Sequence, residues 1–243
     1  MNDTRNSPTR LVVLIPALNE DATVAGVVEQ CYQLREAYPA MEVVVVNDGS
    51  CDRTAEVAEA AGATVPSHRT NRGVGRAFRT GLDAALRRGA EIIVNVDADG
   101  QFDPAGIPQL VAPILEGKAD VVYGSRFAGG EPHRVLYFWH YHGNKALTLA
   151  SNALTDLNLT DMETCYKVFR AEVFRQIVIE ENRFGFEPEI TAKVAKLFKT
   201  QGCRIFEVGI SYSGRTYAEG KKITWRDAVS AIRCILKYNL FSK

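Results

Sequence analysis

Glu91-Ile92-Ile93-Val94-Asn95-Val96-Asp97-Ala98-Asp99-Gly100-Gln101 begins as an apolar, β-branched run and ends in two acids, a glycine and an amide. Glu91–Val96 reads as a buried strand that stops at Asp97, since a short apolar run bounded by turn residues suits a strand covered on both faces. Successive side chains of an extended segment alternate faces, so Asp97, Asp99 and Gln101 can point the same way. Two carboxylates and an amide oxygen form a hard ligand set suited to Mg2+ or Mn2+, with positions left for water and substrate phosphate. A solvated turn after a strand has the same composition, and spacing alone does not choose between the two.

Working outward, strand and helix patterns alternate. Leu11–Ile15 is a strand ended by Pro16, and Asp21–Tyr38 has apolar residues at helical spacing before Pro39. Glu42–Val46 is a second strand, closed by the turn Asn47-Asp48-Gly49-Ser50. Helices are predicted at Arg53–Ala61 and Arg76–Arg88 around a short strand at Ala63–Pro66, then a helix at Pro104–Glu116 and a strand at Ala119–Tyr123. This alternation implies an α/β fold with a mainly parallel sheet flanked by helices. Ligands of such sheets gather at the carboxyl ends of the strands. The polar exits Pro16–Glu20, Asn47–Ser50 and Asp97–Gln101 then lie along one edge.

Within those exits, Asp48 offers an acceptor to a ribose hydroxyl or a base N–H, while Ser50 or Asp52 caps the next helix. Asn71-Arg72-Gly73-Val74-Gly75 either turns backbone N–H groups toward phosphate or makes a tight helix-opening turn. The first strand lacks a GxGxxG exit, which argues against a nicotinamide oxidoreductase. The second half is less regular. Arg134–Leu159 mixes aromatics and histidines before a helix-like stretch, Val168–Phe169 and Cys203–Ile210 look like strands, and Glu187–Phe198 looks helical. Ser211–Lys222 is a basic loop and Ile223–Leu240 an amphipathic helix. No repeat or linker divides the chain, so residues 1–243 form a single domain.

The 243 residues are 46% hydrophobic and 24% charged, with 29 basic and 29 acidic side chains, so no global field favours nucleic acid. Five scattered cysteines fit free thiols in a reducing compartment better than a disulfide framework. The apolar runs fall far short of the ~20 residues that cross a bilayer, and the N-terminus carries no signal-like stretch. A cytoplasmic protein, soluble or peripheral, is expected.

Together the loops resemble the family 2 glycosyltransferases of GT-A fold, most closely the dolichol- or polyprenyl-phosphate sugar synthases. The blocks are Ile15–Glu20, Asn47–Ser50, Gly73–Gly75, Asp97–Gln101, Gly124–Phe127, Thr160–Lys167 and Gly214–Lys221, spanning about Leu11 to Asp227. The resemblance implies a nucleotide-sugar half at about 10–125 and an acceptor half at about 126–243. It implies that Pro16, Leu18, Glu20 and Asp48 line the nucleoside pocket, that Asp97, Asp99 and Gln101 ligate Mg2+ or Mn2+, and that Ala98 lies beside the nucleotide. Arg126, Arg215 and Lys221 would approach the donor diphosphate or the acceptor phosphate, which agrees with the bidentate chemistry of arginine. Asp99, Arg126 and Arg215 are thereby the candidate catalytic residues.

The implied reaction is inverting transfer of a hexose from a GDP- or UDP-sugar to a polyprenyl phosphate, with a soluble hydroxyl acceptor as the alternative. A hydroxyl would need a base, for which Asp161 or Glu163 is the candidate. Two departures stand out. Asn47 replaces the aspartate often found there, and the acceptor segment offers Arg134, His140, His142 and Lys145 among aromatics. The C-terminal stripe Trp225, Val229, Ile232, Leu236 and Leu240, with Arg226, Arg233 and Lys237 between, reads either as a core-closing helix or as a helix lying on a membrane.

Overall fold

The protein is described by a computed structural model covering residues 8–130, 132, 134–215 and 225–241, without the side chains of 225–227. The strands are β1 (Leu11–Ala17), β2 (Glu42–Asn47), β3 (Ile92–Asn95), β4 (Val121–Ser125), β5 (Lys167–Arg170) and β6 (Ile205–Gly209). They form one sheet in the order β2-β1-β3-β5-β4-β6. β1 runs parallel to β2 and β3, and β4 parallel to β6, whereas β5 is antiparallel to both its neighbours. The mainly parallel sheet is as expected. Ala63–Pro66, however, contributes one isolated bridge, Val44 to Thr64, with a second just beyond it from Asn47 to Ser67, rather than a strand.

Every residue of β1 is buried, and its alternation feeds two apolar layers. Val13 and Ile15 enter one layer with Val24 and Val28 of α1 (Val24–Tyr32) and Leu110 of α4 (Ile107–Leu115). Val12 and Leu14 enter the other with Phe78 of α3 (Val74–Arg87) and Phe186 of α7 (Phe186–Gln201). α3 approaches β1 so closely that a Cβ at Gly81 would lie 1.7 Å from Leu14 Cδ1. The layer thus depends on a missing side chain. Ala58 of α2 (Thr54–Ala60) joins the first layer, and α6 (Ala171–Phe174) packs Phe174 into the second.

Strand direction positions the site. Ala17 stands opposite Asn47 and Leu14 opposite Asn95, so β1, β2 and β3 end at one edge, and β4 and β6 point the same way. Because β5 is reversed, its first residue, Lys167, lies opposite Asn95 and Tyr123. The residues just before β5 are therefore delivered to the same edge. Two helices complete the fold, α5 (Phe138–Thr155) and α8 (Trp225–Leu236), which pack against each other. α8 buries Ala231, Cys234 and Ile235 while leaving Val229, Ile232 and Leu236 exposed, so it closes the core and keeps a free apolar face. All five cysteines are unpaired.

Candidate active site at the carboxyl edge of the sheet

Asp97 and Asp99 follow β3 and are half-buried. Burial, then the charges of Asp99 and Glu187, push the Asp97 carboxyl up to about 8. Burial raises Asp99 as well, against hydrogen bonds from Gln101 that lower it. Two desolvated carboxyls, with the charge of Asp99 raising Asp97, form an acceptor for a divalent cation, which would relieve both burial costs at once. Among the described residues no group of three or more His, Cys, Asp or Glu side chains is arranged for a metal. The two aspartates fit an ion that completes its shell with water and phosphate oxygens.

Gln101 does something other than offer a third ligand oxygen. Its Oε1 accepts from Tyr212 Oη at 2.9 Å and from Arg215 N at 2.8 Å, and its amide nitrogen donates to Asp99. Both lone pairs of Oε1 are thus in use. Arg215 donates to Asp99 O at 2.9 Å and forms a two-pronged pair with Glu20, at 2.7 and 3.2 Å. Glu20, expected in the nucleoside pocket, is held by Arg215 and joins the first strand exit to the last. Lys221 lies outside the described residues.

Arg126, at the end of β4, is gripped by Asp161 through Nε–Oδ2 at 2.6 Å and NH2–Oδ1 at 2.7 Å. Asp161 is fully buried, and Oδ2 also accepts from Arg126 N. Its oxygens are spent on orienting the guanidinium, which leaves Glu163 as the uncommitted carboxyl of the two base candidates. Burial first, then the Glu187 charge, pushes Glu163 up to about 8. Lys167 and Glu187, both buried, pair directly, and Lys167 also donates to the carbonyls of Met162 and Thr164. The Cys165 thiol lies near the carboxyls of Asp97 and Glu187 and favours their charged forms, against the burial that raises both.

On the nucleoside side, Asp48 is 2% exposed and its oxygens are occupied. Oδ1 takes Arg72 N at 3.0 Å and lies 2.6 Å from His68 Nδ1, and Oδ2 takes Gly73 N at 2.8 Å. Asp48 thus folds the 68–73 loop, and the Arg72 and Gly73 N–H groups, one expected contact for phosphate, meet this carboxylate instead. The helix-opening turn is the observed role of Gly73, which has φ 96°. Asn47 closes its own turn by accepting Ser50 N at 3.0 Å, so an amide suffices there. Asp52 accepts Thr54 N at 3.0 Å, but it sits one residue before the N-cap position of α2, which Arg53 fills without a side-chain cap. Pro16 and Ala98 are buried, so a nucleotide would meet little of their side chains, while Leu18 is partly open.

In the acceptor half, Arg134 donates to Gly214 O at 3.1 Å and Lys145 to Thr160 O at 3.2 Å, with its ammonium 4.7 Å from the Phe127 ring centre. The two carbonyls they meet belong to the residues just before Arg215 and Asp161. His142 stacks on Phe138 at 4.2 Å and His140 lies 5.9 Å from Tyr137, so each histidine packs among aromatics. Sequence reasoning missed His68, Tyr212, Lys167 and Glu187. Glu187 and Glu189 flank Pro188 in the first turn of α7, where acids are ordinary helix-dipole partners. No local signal set Glu187 apart.

The chain belongs to glycosyl transferase family 2, whose sequence profile matches residues 12–178. It is a glycosyltransferase of GT-A fold. It is 34% identical over 226 residues to the undecaprenyl-phosphate mannosyltransferase of Micrococcus luteus, covering 87% of each chain. With the polyprenol monophosphomannose synthase of Mycolicibacterium smegmatis it shares 28% identity over 221 residues, 87% of this chain and 80% of that one. The fold matches glucosyl-3-phosphoglycerate synthase from Mycobacterium tuberculosis, solved with Mn2+, UDP and glucosyl-3-phosphoglycerate. The TM-score is 0.73 at 22% identity, over 96% of this chain and 80% of that one.

Proposed function

We propose that the enzyme transfers a hexose, with inversion, from a GDP- or UDP-sugar to a polyprenyl phosphate. The observation that carries this reading is the convergence of Asp97, Asp99, Arg126 and Arg215 on one sheet edge in a chain whose relatives are named for polyprenyl-phosphate acceptors. A phosphate oxygen of the lipid attacks the anomeric carbon, the bond from that carbon to the diphosphate breaks, and the electron pair leaves with the nucleoside diphosphate. Mg2+ or Mn2+ held by Asp97 and Asp99 would supply Lewis-acid stabilisation of the charge growing on that leaving group. Arg126, fixed by Asp161, contributes a preorganised cation, and Arg215 a second once a diphosphate competes with Glu20.

With Asp161 committed to Arg126, Glu163 is the one base candidate left for a hydroxyl acceptor. A phosphate monoester with a second pKa near about 6 is already largely dianionic at neutral pH and needs no base. The lipid substrate also gives meaning to the apolar faces of α5 and α8. Trp139 of α5 is 81% exposed and Phe241, just beyond α8, 79%, and the exposed residues of α5 include no Asp, Glu, Lys or Arg. Among the described residues no helix is long and apolar enough to cross a membrane. We assign these faces to peripheral contact with the cytoplasmic leaflet that holds the acceptor. The test incubates the enzyme and MnCl2 with GDP-mannose, UDP-glucose or UDP-N-acetylglucosamine, with and without undecaprenyl phosphate. Nucleoside diphosphate release that requires the lipid supports the reading. Release driven only by soluble hydroxyl acceptors overturns it.

A further inference from the structure

The residues that carry Asp161 belong to no helix or strand. Thr160–Met162 lie between α5 and β5, and among the described residues their backbone N–H groups are all accepted by side chains. Glu207 of β6 takes Thr160 N on both oxygens, at 2.8 and 3.1 Å, and Asp161 N on Oε1 at 3.1 Å. Thr148 of α5 takes Met162 N at 3.2 Å. Thr160 is also tied to β4, its hydroxyl lying 2.6 Å from Ser125 Oγ, and to α5, its carbonyl accepting from Lys145. With no ladder of backbone bonds to fix it, such a segment takes the geometry that its side-chain partners give it.

Glu207 is the partner that holds Asp161 itself. It stands opposite Tyr123 in the parallel pairing of β6 with β4, the strand that leads to Arg126. From Asp161 the contacts run directly to Arg126, whose Nε, NH2 and main-chain N all donate to its carboxylate. Burial raises the Glu207 carboxyl, against the hydrogen bonds from Thr160 and Asp161 that lower it, and the Asp161 charge raises it too. A second acid beside Asp161 adds a repulsion that an apolar residue would avoid, and what it supplies is two anchored N–H groups. A fork between carboxylate and guanidinium depends on angle as well as distance, so a shift of Asp161 would turn Arg126. We propose that Glu207 is a positioning residue, acting through the Thr160–Asp161 backbone to hold the Asp161 carboxylate, and with it the Arg126 guanidinium, in working orientation. The inference rests on the transfer reading given above, in which Arg126 stabilises developing charge.

The test measures transfer to undecaprenyl phosphate, with MnCl2 and the three donors named above, for Glu207→Met and Glu207→Gln, each alone and combined with Arg126→Lys. Glu207→Met has the reach of the native side chain without its acceptors, and Glu207→Val takes its place if that variant does not fold. In Glu207→Met kcat falls about tenfold or more. Combined with Arg126→Lys, the same change lowers kcat by no more than about twofold further, because the fork is already gone. Glu207→Gln, whose side-chain carbonyl can still accept both N–H groups, stays within about threefold of wild type. The Nε–H resonance of Arg126, assigned by its absence from Arg126→Lys, exchanges with solvent about tenfold faster or more in Glu207→Met than in wild type. A loss of equal size with and without Arg126→Lys overturns the inference, since a role in folding alone would give that. So does an Arg126 resonance that Glu207→Met leaves unchanged, or a Glu207→Gln as slow as Glu207→Met. If wild type transfers from none of the donors, the transfer reading fails, and the Arg126 resonance alone then decides the positioning role.

Discussion

Arg126 and Asp161 meet fork to fork, two parallel N–H···O bonds of 2.6 and 2.7 Å between side chains 14% and 0% exposed. Removing one member strands the other, and breaking a buried pair in this way costs about 3–5 kcal/mol. Asp161→Asn should therefore lower unfolding stability by an amount of that order in urea titrations, and reduce kcat because Arg126 loses its orientation. A variant with wild-type stability and turnover would refute the positioning role.

Asp99 carries the metal assignment. Asp99→Asn keeps the shape while removing the charge and one of the two oxygens that accept from Gln101. Transfer should fall at least about a hundredfold, and the rise in Tm on adding MnCl2 with nucleoside diphosphate should disappear. Full metal-dependent transfer in the variant would sink the assignment.

The raised carboxyls make stability depend on pH in a definite direction. Unfolded, Glu163 releases its proton near the ordinary value of 4.5, whereas folded it keeps the proton up to about 8. Between those limits the folded state binds more protons, so the ligand-free protein loses stability as pH rises from 4.5 to about 8. One proton contributes at most about 1.4 kcal/mol per pH unit. Urea titrations across this window should give a flatter slope for Glu163→Gln, and an identical slope would contradict the shift.

Apolar exposure on α5 and α8 predicts binding to vesicles. Wild type should float with liposomes of mixed anionic and zwitterionic lipid. A Trp139→Ser/Ile232→Ser/Leu236→Ser variant should stay behind with unchanged thermal stability, since all three side chains are exposed. Equal flotation of the two proteins would assign binding elsewhere.

Gly73 offers a purely structural check. Its φ is 96° and a Cβ there would lie 2.3 Å from Asn182 O, a backbone atom that has no room to yield. Gly73→Ala should cost on the order of 2 kcal/mol in chemical denaturation. A neutral result would mean that the α3 opening differs from the one described.

Much of this was written into the sequence at the level of periodicity. The buried strands at Leu11, Glu42 and Glu91 declare themselves by β-branched runs, and the edge they share follows from parallel alternation. The reversal of β5 left no such mark, because four residues of strand look alike in either direction. The aspartate motif was legible in residue type, but the engagement of Gln101 by Tyr212 and Arg215 was not, since its partners lie 111 and 114 residues away. Asp48 and Glu20 were found as residues of the edge and differ in what they touch. Each meets a neighbour that only the folded chain brings near, His68 for Asp48 and Arg215 for Glu20.

The tie between Glu20 and Arg215 spans 195 residues of chain. A nascent polypeptide acquires Glu20, Asp97, Asp99 and Arg126 well before the ribosome has made β6 and the segment beyond it. Until then the carboxylates face one another without the guanidinium that closes the ring. Arg215 thus joins the carboxylates late in synthesis, and a chain truncated before it would lack both this cation and the α8 residues Ala231, Cys234 and Ile235 that are buried in the fold.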